Sequence, residues 1–417
     1  MPTSHPSHTV NQAFYQPLIG LAANSKASRY CPEFSDEDYL LCGVQRVLEE
    51  SSSGRAFLQE HAPALDISVT QSNYFANLHS VRRLELLQDV DESVLQQAQS
   101  KLLDRLADIT ELAGYECFAA DGHWHKAATH DPLHDGTKMA VGHFYALNLH
   151  THTLRHLVTG EGLHEHDMSA LKRVTPKGLR QNVPKGRRVL VVYDKAGIDL
   201  NFWKRCRHEC AVYFLSRVKE NMVLRWERDF DWDRDDPRNA GVTSDTEVHT
   251  SGGHLLRLIN YTDPVGGKAF EFLTNAMDLP AGVLVELYRR RWEIEKVFDE
   301  LKNKLGQRKA WASGTVARTI QARFLALTHN LLLIYEQKLA SYHGVTNDAE
   351  DQRRDKRFER ATKHCVRSGY PPTTLASQSR IASQRSVKFV RWLRHALHQS
   401  LAETVAVLRL KTLYATL

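Results

Sequence analysis

Tyr288, Arg291, Glu295 and Lys302 stand at offsets of 0, 3, 7 and 14 within LVELYRRRWEIEKVFDELKNKLG. On one α-helix, at roughly 100° per residue, they fall within an arc of about 60° and extend over about 21 Å. A carboxylate, two cations and a phenol on one face suit phosphodiester chemistry: the acid can hold a metal ion while the cations grip flanking phosphates. A second stripe, Leu287, Ile294, Phe298, Leu301 and Leu305, lies about 80° around and can pack on a core. Pro280 and Gly306 are the expected punctuation at the two ends. The competing reading is a surface helix laced by ion pairs, since Glu295, Asp299 and Lys302 are spaced i, i+4 and i+7. Asp299 lies about 20° off the polar arc and competes for the ligand role. Glu295 is preferred because Arg291 and Lys302 then fall at the offsets of the pattern, four residues before it and seven after.

Such a helix needs a scaffold that brings other acids to it. From about residue 114, YECFAADGHWHKAA, KMAVGHFYALNLHT and TLRHLVTG read as three successive strands. A helical HDMSALKRVTPKGLRQ, a strand RRVLVVYDKAG, a short helix DLNFWKRCRHEC and a strand AVYFLSRVKEN follow. Three strands, a helix, a strand, a helix and a strand is the order of an RNase H-like domain. Asp121 closes the first strand and Asp194 the fourth, so both carboxylates are expected over the same sheet edge. Each also reads as an ordinary turn aspartate, Asp121-Gly122 above all. Asp199 is expected to cap the helix that follows it.

The fold class expected is therefore α/β: an RNase H-like core in two parts, 113–220 and 279–340, with a β-rich insertion at 221–278. Strands such as HLLRLINY and KAFEFLT, set off by Asp, Pro and Gly turns, mark the insertion. Residues 1–112 read as a helical N-terminal region. The stretch ending in Arg82 and Arg83 is either a DNA-reading helix or part of a plain bundle. A long apolar helix, TIQARFLALTHNLLLIYEQKLA, closes the core. Residues 341–417 read as a polar linker and a basic helical region, suited to DNA binding or dimerisation.

Composition agrees with that division. A chain of 417 residues, 42% hydrophobic and 25% charged, is that of an ordinary soluble protein with room for two or three domains. Its net charge of +6 is unevenly spread: residues 301–417 hold 21 Lys and Arg against 7 Asp and Glu, while the first 300 hold 34 against 42. A basic final third suits a polyanion such as DNA. Six cysteines in so long a chain are no disulfide framework. Cys206-x-His208-x-Cys210 resembles half of a zinc site, but no second ligand pair follows. The start lacks the pattern of a signal peptide, and the longest apolar-rich stretch, FLALTHNLLLIY, is too short to span a bilayer. A cytoplasmic, nucleoid-associated protein with no membrane partner is expected.

Asp121, Asp194 and Glu295 resemble the three acids of DDE transposases. Tyr288-x2-Arg291-x3-Glu295-x6-Lys302 is similar to the Tyr-Arg-Glu-Lys signature of the insertion-sequence-4 type of bacterial transposase, within the RNase H-like transposase and integrase superfamily. The resemblance covers about residues 114–335, including the order of elements and an insertion before the helix. It implies a transposase that cleaves DNA at the ends of an insertion sequence and joins the freed 3′-hydroxyl to target DNA. It further implies two Mg²⁺ ions, with Mn²⁺ able to substitute, held by Asp121, Asp194 and Glu295, Asp121 bridging both. Two ions about 4 Å apart can serve the attacking and the leaving oxygen, and oxygen donors suit them. Tyr288, Arg291 and Lys302 would position phosphates of double-stranded DNA, in a homodimer or higher multimer. Many relatives flip a base onto an aromatic residue, for which Trp226 and Trp232 are candidates, with burial in a core as the alternative. His123, His125 and His130 are candidate proton carriers. Two other functions share the same acids: a DNA nuclease without strand transfer, and a catalytically idle DNA-binding descendant.

Overall fold

The computed structural model describes residues 10–344, except 50–52, 61–66, 68, 135, 139, 162–164, 166 and 265–266, and beyond them residues 356, 359–360, 363, 366–367, 369 and 387–399. The polar linker and most of the basic C-terminal third lie outside the described residues.

Strands β1 (Tyr115–Lys126), β2 (Ala140–Asn148), β3 (Leu154–Thr159), β4 (Arg188–Val192) and β5 (Val212–Arg217) match the five expected from the sequence. Tyr115, Cys117 and Ala119 are buried on one side of β1, and Phe118 and Ala120 on the other. A strand buried on both faces belongs at the centre of a sheet. β1 duly pairs antiparallel with β2 and parallel with β4. Helices α3 (Asp167–Leu179) and α4 (Leu200–Cys210) cover one face, where Phe202, Trp203 and Cys206 meet Val189, Val191 and Phe214. Asp199 caps α4 through the Phe202 N–H, as expected.

The insertion does not form a sheet of its own. Its strands β6 (Leu224–Asp229), β7 (Val242–Thr250), β8 (Leu255–Thr262) and β9 (Ala269–Thr274) extend the core sheet, giving nine strands in the order β3-β2-β1-β4-β5-β9-β8-β7-β6. The junction is the antiparallel pairing of β9 with β5. Trp226 sits on the outermost strand and is 65% exposed, which removes a core role for it. Trp232, by contrast, packs partly buried against the main core.

The second face is covered by helices from both ends of the chain: α1 (Asp36–Leu48), α2 (Val81–Lys101), α5 (Ala281–Arg290), α6 (Trp292–Asp299) and α7 (Thr315–His343). α7 is the long apolar helix, and its Phe324, Leu325, Leu327, Leu331 and Leu332 are buried. Asn330, a polar residue in that apolar run, accepts from the Leu154 N–H at 2.8 Å and donates to its carbonyl at 2.9 Å. It thereby satisfies backbone groups on the sheet's edge strand β3, which would otherwise be orphaned. Arg82 and Arg83 are not presented as a DNA-reading pair. Both contact Asp36, and Arg83 is fully buried, donating also to the Phe34 and Ser35 carbonyls.

Helix α8 (Val387–Gln399) returns to this assembly. Phe389, Trp392, Leu393 and Leu397 are buried, Asn11 donates to the Leu397 carbonyl, and Arg394 donates to the carbonyls of Leu48 and Lys304. No helix among the described residues is long and apolar enough to cross a membrane.

Candidate active site

The helix carrying the Tyr-Arg-Glu-Lys pattern is not one regular cylinder. It tightens at Arg291, whose N–H bonds the Tyr288 carbonyl three residues back, and then resumes as α6. It widens again into a π-helical turn over Glu300–Lys304, where the Leu305 N–H reaches the Glu300 carbonyl. A tight turn and a wide turn both depart from a fixed 100° step, so the shared face is only approximate. The apolar stripe does face inward: Leu287, Ile294, Phe298, Leu301 and Leu305 are all buried.

Asp121 does not end its strand. β1 continues to Lys126 against β2, but its pairing with β4 stops at Ala119–Val192. Asp121-Gly122 is thus extended strand, and the turn reading fails there. Asp121 and Asp194 each lie two residues past that last pair, level with one another where the two strands part. Equal offsets from one parallel pair place Asp121 and Asp194 at the same level of the sheet edge. Asp121 accepts from the Gly122 N–H at 2.8 Å, and Asp194 from the Lys195 N–H at 2.6 Å.

Arg291 joins the sheet to the helix. Its Nη1 donates to Asp121 Oδ2 and its Nη2 to Glu295 Oε1, both at 2.8 Å. The Arg291 side chain is 7% exposed, against 22% for that of Asp121 and 34% for that of Glu295. Tyr288 is also buried rather than open to a groove, its ring 4.7 Å from that of Phe272. Burial pushes its phenol up, with Arg291 opposing and the Asp194 charge adding to the rise. Asp121 and Glu295 thus share Arg291, the Arg291 guanidinium carbon lies 5.9 Å from the centre of the Tyr288 ring, and the Asp194 charge reaches Tyr288. The three acids share one neighbourhood without surrounding one point. Among the described residues no three His, Cys, Asp or Glu side chains form a ready metal-holding group. The donors are nonetheless all carboxylate oxygens, partly open to solvent, which is the donor set that hard divalent cations take. Asp299 is exposed and accepts from Asn303 at 2.6 Å.

Lys302 is exposed on the π turn, and its charge reaches His123. Neither His123 nor His125 suits a proton carrier near neutrality. Burial first, with Lys302 assisting, holds His123 down to about 4, and burial with His123 holds His125 to about 3. The two belong to a buried imidazole layer. His123 faces His143 across β1 and β2, His125 stacks on His143 at 4.8 Å, and His143 lies 5.8 Å from His156 of β3. Thr159 Oγ1 links His143 Nδ1 and His156 Nε2 at 3.3 and 3.2 Å. His130 is exposed, outside this layer.

Sequence reading missed the back of the helix. Glu293 bonds His152, and Glu300 lies 3.6 Å from His329 of α7, whose Nε2 meets the His152 carbonyl oxygen at 3.0 Å. His152 has a φ of 61°, a left-handed conformation that costs a non-glycine residue energy and persists where contacts enforce it. This network fixes the rotation of α6, so Glu295 rather than Glu293 points toward Asp121. The available signal was His329, a polar residue inside an apolar helix that needed a partner.

A family model described as "Transposase DDE domain" matches residues 86–331, more than half of the chain. No curated protein matches it.

Proposed function

From the membership of this chain in the DDE transposase family, we propose that it is an insertion-sequence transposase of the insertion-sequence-4 type, with Tyr288, Arg291, Glu295 and Lys302 as its signature residues. Asp121, Asp194 and Glu295 are the catalytic and metal-holding acids. The observation that carries this reading is the single guanidinium joining Asp121 to Glu295, acids 174 positions apart in the sequence. Divalent metal use is general in the family, and Mg²⁺, as a pair of ions with Mn²⁺ as substitute, is the choice that an all-carboxylate site favours. Bound there, such ions would supply charge for the attacking and leaving oxygens.

The protein's own groups divide the remaining work. Arg291 and Lys302 hold phosphates on either side of the scissile bond, and Tyr288 braces Arg291 from within the core. Double-stranded DNA, both element ends and target, is the substrate, and a dimer or higher multimer holds two ends together. Residues 1–112 and 341–417 flank the catalytic region, with the basic tail the better supported of the two for DNA contact.

The test is cleavage of duplexes carrying the element's ends by the full chain with Mg²⁺. Glu295→Gln is expected to lose cleavage and keep end binding. Normal cleavage by Glu295→Gln with a dead Asp299→Asn would overturn the choice of carboxylate. Donor ends covalently joined to target DNA separate a transposase from a simple nuclease, and binding without cleavage marks an idle descendant.

A further inference from the structure

The same guanidinium that joins Asp121 to Glu295 also occupies the space between them. Both contacts are 2.8 Å, both come from its terminal nitrogens, and the group is nearly excluded from solvent. Its Nε is buried without a hydrogen-bond partner. A planar fork can hold two carboxylates at once in this way, which a point-charge ammonium cannot. Arg291 therefore neutralises much of the repulsion between acids that a divalent ion would otherwise relieve.

We propose that Arg291 is a positioning residue that couples metal binding to DNA binding by exchanging its carboxylate partners for a phosphate. This inference rests on the assignment of Asp121 and Glu295 as metal ligands. A divalent cation between the two acids meets a like charge already there, so the guanidinium must leave. It is buried and charged, and leaving without a new anionic partner is costly. A DNA phosphate is such a partner, and its two oxygens fit the same fork. Metal thus binds weakly to the free chain and tightly with DNA. By linkage, DNA binds more tightly when metal is present, by the same factor.

The experiment is a titration of the full chain with Mn²⁺, free Mn²⁺ being read by electron paramagnetic resonance, with and without duplex DNA. For the wild type, DNA is expected to tighten Mn²⁺ binding on the order of tenfold. Arg291→Ala is expected to bind Mn²⁺ without DNA about as tightly as the wild type does with it, and DNA then adds little. Arg291→Lys should restore part of the DNA dependence. Arg291→Gln, which keeps the side chain's bulk, gives the same readout if the alanine variant does not fold. Neutral variants at Arg291 that bind Mn²⁺ no more tightly than the wild type overturn the coupling. Mn²⁺ binding that survives both Asp121→Asn and Glu295→Gln instead overturns the ligand assignment.

Discussion

Arg83 and Lys302 show how differently two cations of one chain are used. Arg83 is buried against Asp36 and two backbone carbonyls, and removing one partner of a buried pair leaves the other uncompensated. Arg83→Ala is expected to lower unfolding free energy by about 3 kcal/mol, measured as a reduced urea midpoint at unchanged slope. Lys302 is exposed, so Lys302→Ala should leave stability within about 0.5 kcal/mol. On the proposed phosphate role, the slope of log affinity against log salt should become shallower by about one phosphate contact. An unchanged slope would remove Lys302 from the interface. At this scale the sequence was informative where spacing alone mattered. The offsets from Tyr288 to Lys302 were visible, and the capping by Asp199 followed from local rules. The Arg291–Asp121 contact was not legible, because it depends on how two elements 170 residues apart come together.

Among the elements, the pair α5 and α6 is set by what lies at its start. Gly282 donates its N–H to Asn239 Oδ1 at 2.9 Å, and a Cβ there would stand 1.9 Å from the Arg238 carbonyl oxygen. Only glycine permits that approach between the insertion and α5. Gly282→Ala should therefore lower cleavage activity more than Mn²⁺-independent DNA binding, and should reduce the melting temperature in the same preparation. The five core strands were readable because short runs of apolar and aromatic residues, bounded by polar turns, mark each one. The fate of the insertion was not: its strands are equally strand-like whether they pair with each other alone or with β5. Nor did helical periodicity reveal the tight turn at Arg291 or the wide one at Glu300–Lys304. Both residue runs keep an acceptable α-helical pattern.

For the molecule as a whole, the imidazole layer sets a limit on acidity. His125, His143 and His156 are neutral in the fold, burial being the main cause in each case. An unfolded histidine titrates near 6.5, so the unfolded chain binds more protons than the fold below that pH. Stability is then complete above about pH 6.5 and falls as pH drops toward 4 and below. Urea midpoints at pH 7.5, 6 and 5 should decline in that order, and His125→Leu should flatten the decline. The signal for this layer was present as histidines at alternate positions in HWH on β1. A period-two reading places such residues on one face, yet says nothing about whether that face is covered.

Arg394 reaches the Lys304 carbonyl across 90 residues of chain. A ribosome adding about 5–20 residues per second takes several seconds or more to make that stretch. Until α8 emerges and docks, the end of the π turn beside Lys302 is without this clasp, and a nascent chain stands with that turn unfastened.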